Sequence, residues 1–331
     1  MRALAAEAHV SVSTVSRYLA GQLSLKPETE AVLLDTLRRH GLEPRAAANA
    51  RDDDVRAIGL VVPEMSNPYF GAMADGVVRA AEEYGYSVLV TSSLNHSRRQ
   101  SDDVALLLAQ GVQGIIYAGR HDFDRAIDEL RAAQKPAVVL DKLIGDDAPL
   151  IDVLSIENAA GAYQATTHLL QLNHRRIAFV GGPEHLHSVR ERLRGYRQAL
   201  RGAGIDSDDA LEFHGEFSEE FGAVALSLIQ LTADSPTAVF AASDTIALGM
   251  IAAAETMGIV LPEALSIVGF DGIPASTLVR PALTTVQTPM DDLASAAVRI
   301  LMERIDQPER GAHQHGVSVA LVVRDSATAL R

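Results

Sequence analysis

The stretch HVSVSTVSRYLAGQ, residues 9–22, gathers hydroxyls and a single arginine on what reads as a short helix. Ser11, Ser13, Thr14 and Ser16 offer donors and acceptors, and Arg17 offers a planar fork of N–H groups. Hydroxyls and a helix N-terminus can hold phosphate without full positive charge, so this chemistry suits a nucleic-acid backbone. The plainer reading is a surface helix whose Ser and Thr residues only cap and solvate. Other constellations carry less. The pairs His185/His187 and His313/His315 resemble metal ligands by composition alone, because the chain has no Cys and no HExxH. Gly181-Gly182-Pro183 is neither GxGxxG nor a Walker loop, which leaves nucleotide binding without support. There is no GxSxG, and no Ser–His–Asp order stands out. The expectation is therefore no catalytic residue, no metal, no cofactor and no enzymatic activity.

At 331 residues the chain has room for two or three domains with ample core. Its 47% hydrophobic and 22% charged residues are ordinary for a soluble globular protein. The lack of Cys gives an oxidising compartment no support. MRALAAEAHV lacks the apolar run of a signal peptide. No stretch approaches the roughly 20 apolar residues that span a bilayer. A cytoplasmic protein with no membrane contact is expected. The net charge of −14 is unevenly shared. Residues 1–45 hold six basic and five acidic residues, a net of +1, which leaves −15 for the rest. An acidic body is repelled by phosphate, so any nucleic-acid contact falls to the near-neutral head. Dimerisation would strengthen so weakly charged a head by doubling it.

The elements that must position these groups follow from periodicity. Residues 2–9 have helical composition, with Leu4, Ala5 and Ala8 on one stripe. Ser11 is a good N-cap for a helix over Val12 to Leu19, with Val15, Tyr18 and Leu19 inward and Gly21 ending it. Lys26-Pro27-Glu28 opens a third helix, with Val32, Leu33 and Leu37 at helical spacing and Gly41 as its stop. Residues 44–56, PRAAANARDDDVR, hold no large apolar residue except Val55 and read as a linker. From Ile58 onward, short β-branched runs alternate with amphipathic helices. IGLVV, YSVLV, GIIYA and PAVVL make a first series; VLSI, RIAFVG, LEF, TAVFAA and LSIVGF make a second. A helix near 290–305 and a strand SVALVV follow. Two runs of βα units predict two doubly wound parallel sheets, with a site between lobes at the carboxyl ends of their strands.

The chain at this point resembles transcription regulators of the lactose repressor/galactose repressor family along nearly its whole length. VSVSTVSRYLAG and KPETEAVLLDTLRRHG match the family's DNA-binding head. IGLVVPEMSNPYFG, GVQGIIYAG, NAAGAYQATTHLLQLNHRRIAFVGGP, RERLRGYRQAL, AVFAASDTIALGM, SIVGFDGIPA, PALTTVQTP and LVVRDSA match its body, in order and spacing. The resemblance implies an α/β protein with two Rossmann-like lobes of periplasmic-binding-protein type, preceded by a small all-α helix-turn-helix domain. It implies a DNA-binding domain at 1–43, a hinge linker at 44–56 and an effector-binding and dimerisation domain at 57–331. Lobe one then takes about 57–155 plus 288–316, and lobe two about 156–287 plus 317–331. The implied function is a repressor that binds a pseudo-palindromic DNA operator as a homodimer and is switched by a small polar metabolite, a sugar or sugar derivative. The alternative is a sugar-binding protein with a weakened head.

By the same resemblance Val12, Ser13 and Arg17 read bases, Arg17 suiting a bidentate contact to guanine. Ser11, Thr14 and Ser16 stand where the family contacts phosphate. Three positions depart from the family pattern. The first helix begins several residues late, which leads to the expectation of an upstream start or a marginally stable head. His9 stands where the family's turn carries Gly, at a conformational cost. Arg51 stands where a leucine wedges the minor groove, and Asp52, Asp53 and Asp54 follow it. Arg51 can read a narrow groove by charge but is no apolar wedge, so DNA binding without the full central kink is expected. In the body the resemblance places the effector against Tyr69, Phe70, Asp141, Arg192, Phe217, Ser243 and Asp271. Acids, an arginine and aromatic walls suit a polyhydroxylated molecule. Asp244 reads as the cap of its helix.

Overall fold

The computed structural model describes residues 2–19, 23, 25–40, 56–119, 125–141, 151–232 and 234–330. Gly21, Gly41, most of the linker, Arg51 and Asp52–Asp54 lie outside the described residues. The chain divides into two compact units, 1–56 and 57–331.

Among its described residues the first unit holds three helices: α1 (Arg2–Glu7), α2 (Val12–Leu19) and α3 (Pro27–Arg39). Their core is Leu4, Ala5, Ala8, Val15, Tyr18, Leu33 and Leu37. Of the three apolar positions at helical spacing, Val32 is exposed; α3 turns Leu33, Thr36 and Leu37 inward, an i, i+3, i+4 stripe. The Ser11 hydroxyl accepts the Thr14 amide at 3.0 Å and so caps α2. His9 sits at φ 52°, the left-handed turn that glycine would occupy without strain. The Tyr18 hydroxyl donates to Glu30 across to α3 at 2.6 Å.

The second unit is two six-stranded α/β lobes. Lobe one contains β1 (Ala57–Val62), β2 (Ser87–Ser92), β3 (Ile115–Tyr117), β4 (Ala137–Leu140), β5 (Ile151–Ile156) and β11 (Gln314–Val317). They are all parallel, in the order β11-β5-β4-β3-β1-β2. Lobe two contains β6 (Ile177–Gly181), β7 (Glu212–His214), β8 (Ala238–Ala241), β9 (Ser266–Asp271), β10 (Thr284–Gln287) and β12 (Ala320–Val322). Their order is β12-β10-β9-β8-β6-β7, with only β12 antiparallel. Strands such as AIGLVV and AVVL are buried throughout, as parallel strands covered on both faces must be.

The covering helices of lobe one are α4 (Pro68–Glu83), α5 (Ser97–Ala109), α6 (Arg125–Ala133) and α11 (Met290–Asp306). Those of lobe two are α7 (Asn158–Gln171), α8 (His187–Gly202), α9 (Glu219–Leu231) and α10 (Asp244–Met257). Helices α7 and α8 approach closely at Gly195, where a Cβ would stand 2.1 Å from the Ala159 carbonyl.

Two strands differ from expectation. VLSI closes the first sheet, paired with β4, instead of opening the second. The run read as one strand, SVALVV, holds β12 (Ala320–Val322) in lobe two, and a further short strand that the reading did not include, β11 (Gln314–Val317), precedes it in lobe one. Ser318 and Val319 make the crossing, with Val319 buried where Gly161 leaves it room. The chain thus passes between lobes at 156–158, 287–290 and 317–320.

Candidate ligand cavity and nucleic-acid interface

In each sheet the strand order reverses once, between β1 and β3 in lobe one and between β6 and β8 in lobe two. Neighbouring connections leave such a point in opposite directions and open a crevice at the carboxyl ends of the strands. The loops after β1, β3, β4, β6, β8 and β9 line one cavity there. All seven residues expected at the effector site lie in its wall. It gives about 90 Å³ to the centres of water-sized spheres, several times the ~10–15 Å³ that one water needs. A molecule of many heavy atoms fits that space.

Lobe one contributes aromatic faces. Asn67 caps α4 by accepting the Tyr69 amide at 3.0 Å, and Pro68 takes the first helical position. This cap brings Tyr69 and Phe70 into the cavity on the first turn, edge to face at 5.2 Å and 89°. Burial, with Asp141 and Asp271 nearby, pushes the Tyr69 phenol well above its ordinary value. Asp141 follows β4 directly, at φ 55°. Burial holds its carboxyl above the usual carboxylate range, while Arg192 and His187 pull it back down.

Lobe two contributes the charged centre. Arg192, on α8, is 5% exposed. Its Nε donates to Asn158 Oδ1 at 2.8 Å and its Nη1 to the Ala242 carbonyl and to Asp271 Oδ1, the latter at 3.2 Å. Its guanidinium lies 3.7 Å from the centre of the Phe270 ring, a desolvated cation–π contact. Asp271 ends β9 at φ 118°, a strained conformation for any side chain but glycine. Burial raises its carboxyl, against the pull of Arg192 and Ser243. The Ser243 hydroxyl donates to Asp271 Oδ2 at 2.9 Å and accepts the Thr245 amide at 3.2 Å. Phe217 closes the wall over Gly182, where a Cβ would stand 2.5 Å from the ring.

Asp244 corrects the sequence reading. Ser243, not Asp244, caps α10. The wholly buried Asp244 carboxylate accepts Gly272 and Ile273 amides at 2.9 Å each and the Thr285 hydroxyl at 2.5 Å. It therefore pins the strained turn that presents Asp271. Burial and then the neighbouring Asp271 push its carboxyl up.

Sequence reasoning missed Asn67, His187 and Ser188, which also line the cavity. His187 opens α8 directly after the switch-point loop of β6, a signal that strand order carries. His185, grouped with it as a candidate metal pair, is not among the described residues of the cavity wall.

On the head, Ser11, Val12, Ser13, Ser16 and Arg17 are exposed and Thr14 is half-buried, while Val15 and Tyr18 face the core. Helix α2 therefore presents its hydroxyls and its arginine together. Ser11 Oγ also lies 2.7 Å from both Ser13 Oγ and Thr14 Oγ1, a hydroxyl cluster at the helix start.

Comparison with known proteins agrees with both parts. The periplasmic binding protein-like domain family matches residues 166–327. The HTH-type transcriptional repressor CytR of Escherichia coli strain K12 is 30% identical over 332 residues, covering 100% of this chain and 96% of its own. The structure of a transcriptional regulator CelR–cellobiose complex superposes with a TM-score of 0.76 at 28% identity, covering 98% of each chain. A LacI family regulator from Enterococcus faecium with bound ribose gives 0.74 at 28% identity, covering 83% of this chain and 100% of its own. With a helical head, two doubly wound lobes and a cavity of apolar and charged side chains at their switch points, the chain belongs to the lactose repressor/galactose repressor family of ligand-responsive, DNA-binding transcription regulators.

Proposed function

We propose that the chain represses transcription by binding a pseudo-palindromic operator as a homodimer, and that a sugar or sugar derivative in the cavity sets its affinity for that operator. The observation that carries this reading is the convergence of Tyr69, Phe70, Asp141, Arg192, Phe217, Ser243 and Asp271 on one cavity fed from both lobes. Hydroxyl donors meet the Asp141 and Asp271 carboxylates, and the flat faces of a ring meet Tyr69, Phe70 and Phe217. The relatives solved with cellobiose and ribose support the sugar class. Because lobe-one and lobe-two groups share one ligand, occupancy favours one angle between the lobes. Coupling to the operator is then of order 1–3 kcal/mol and acts equally in both directions.

On the DNA side, Arg17 and Ser13 read base edges with Val12 against a thymine methyl, while Ser11, Thr14 and Ser16 hold phosphates. Arg51 belongs in the minor groove by charge. A second copy supplies the second head. Val224, Leu228 and Leu231 form one exposed apolar stripe along α9, and Leu89 and Val90 stand exposed on the edge strand β2; covering them favours a dimer. The cavity binds without turning its ligand over in this reading: Asp271 is committed to Arg192 and Ser243, and Ser243 to Asp271 and Thr245. Among the described residues no helix is long and apolar enough to cross a membrane, and the site of action is the cytoplasm.

The test is fluorescence anisotropy with palindromic duplexes selected from a random pool, wild type beside Arg17→Ala, at moderate salt. Wild type should select a palindrome, and Arg17→Ala should lose on the order of 1–3 kcal/mol of discrimination at one guanine position. Selection of no sequence by wild type would overturn the reading.

A further inference from the structure

Asn158 is not among the described residues of the cavity wall, yet its side chain joins the two halves of the cavity. It is the first residue of α7, at the first passage from lobe one to lobe two, and is 3% exposed. Its Nδ2 donates to Asp141 Oδ1 of lobe one at 2.7 Å. Its Oδ1 accepts from Arg192 Nε of lobe two at 2.8 Å. Flipping the amide would set its oxygen against a carboxylate and its NH₂ against a guanidinium, so the partners fix its orientation. From Arg192 the chain of contacts runs on to Asp271 and Ser243. One continuous line thus joins the end of β4 to the start of α10, with Asn158 as its only member on a crossing between lobes.

The backbone around it is tied to the other crossings. Glu157 N donates to the Val317 carbonyl at 3.0 Å, joining the first crossing to the third. Thr288 N, on the second, donates to the carbonyl of Asp271 at 3.1 Å. Any change in the spacing of Asp141 and Arg192 must therefore be taken up at Asn158, and a shift there is shared by the hinge strands.

We propose that Asn158 is the interlobe positioning residue of this protein: it holds Asp141 and Arg192 within reach of one ligand and ties the angle between the lobes to their spacing. The first half stands on geometry alone; the link to regulation rests on the cavity being the effector site.

The absence of native Cys permits two clean labels. Glu83→Cys on α4 and Arg201→Cys on α8 are both exposed, one on each lobe. Spin-label distance distributions are measured on the full chain without ligand. Asn158→Asp keeps the acceptor for Arg192 but sets a carboxylate against Asp141, whereas Asn158→Ala only removes the bridge. The expected result is a longer-distance population absent from the parent, larger for Asn158→Asp than for Asn158→Ala. A residue that merely fills space would give the reverse order, since Asp is nearly isosteric and Ala leaves a hole. Adding Asp141→Asn to Asn158→Asp restores the hydrogen bond with its direction reversed, and should restore the parent distribution. The parent distribution in both single variants, Ala equal to or worse than Asp, or a folded double variant that stays open would each overturn the proposal. If Asn158→Asp fails to fold, the double variant still decides. A parent distribution unmoved by millimolar cellobiose or ribose would count against the sugar reading of the cavity, and not against Asn158.

Discussion

Replacing Arg192 with leucine separates the two roles of the charged centre. Arg192→Leu keeps apolar cover over Phe270 but leaves Asp271, itself 9% exposed, without its cation. Removing one partner of a buried pair costs about 3–5 kcal/mol, because a lone charge remains behind. Protonation limits that cost. A carboxyl of ordinary value 3.8 is neutralised for about 4.4 kcal/mol at pH 7, but for only about 1.6 kcal/mol at pH 5. Without Arg192 the folded-state value of Asp271 rises further above 3.8. The folded chain then binds a proton that the unfolded chain releases, so the variant loses stability relative to wild type as pH rises. Urea unfolding followed by far-UV circular dichroism suits a chain with no Trp. The expected gap is about 3–4 kcal/mol at pH 7, shrinking to below about 2 kcal/mol at pH 5. Adding Asp271→Asn should recover most of it at pH 7. A gap under about 1 kcal/mol, or one unchanged between the two pH values, would refute a buried, charge-paired Asp271.

A second ion cluster makes the opposite prediction. Asp152 is wholly buried and gripped two-fold by both Arg304 and Arg310, with the His313 amide on Oδ1. Burial alone would raise its carboxyl, but Arg304, the His313 amide and Arg310 outweigh it and hold the group below the usual range. Its contribution is full above the ordinary carboxylate value and is lost as pH falls through the depressed one; Arg304→Leu should cost about 3–5 kcal/mol at pH 7, read by urea unfolding. His174 lies between the Thr237 hydroxyl and the Thr328 carbonyl, and burial lowers it from 6.5. Stability should therefore fall as pH drops below about 6.5 toward that lower value, and His174→Gln should flatten this limb of a thermal-unfolding pH series. Gly182→Ala puts a methyl 2.5 Å from Phe217 and must displace the ring. A sugar that raises the melting temperature of wild type should raise that of Gly182→Ala less, with the unliganded melting temperatures within a few degrees.

The lobes were legible because parallel strands buried on both faces read as continuous apolar runs, as AIGLVV, AVVL and AVFA do. Which lobe a run joins was less legible. VLSI has the same local character in either sheet, and QHGV gives almost no strand signal of its own; pairing partners distant in sequence decide both. Val32 and Leu37 are both apolar on α3, and only the position of α1 and α2 decides that Leu37 is buried and Val32 is not. The family pattern located the seven cavity residues, most of them at a strand end or near a helix start and Arg192 one turn into α8. Asn158 escaped because its role is made by partners 17 and 34 residues away, and a polar residue at a helix start reads locally as a cap. Asp244 was misread for the same reason, its acceptors being spent on residues 28 to 41 positions on.

The two short strands near the carboxyl end, one for each lobe, have a consequence for synthesis. Lobe one receives its outer strand at 314–317 and lobe two receives its own at 320–322, and α11 crosses back to cover lobe one only after residue 289. A ribosome that has released residues 57–287 has therefore delivered neither lobe complete. Each nascent sheet keeps an open edge, and the α11 side of the first sheet stays bare, until the last segment emerges. Such unpaired edges and bare apolar faces are what chaperones hold and what aggregates nucleate on. The two lobes should accordingly fold late and together, in one concerted event, instead of one after the other in the order of their first strands.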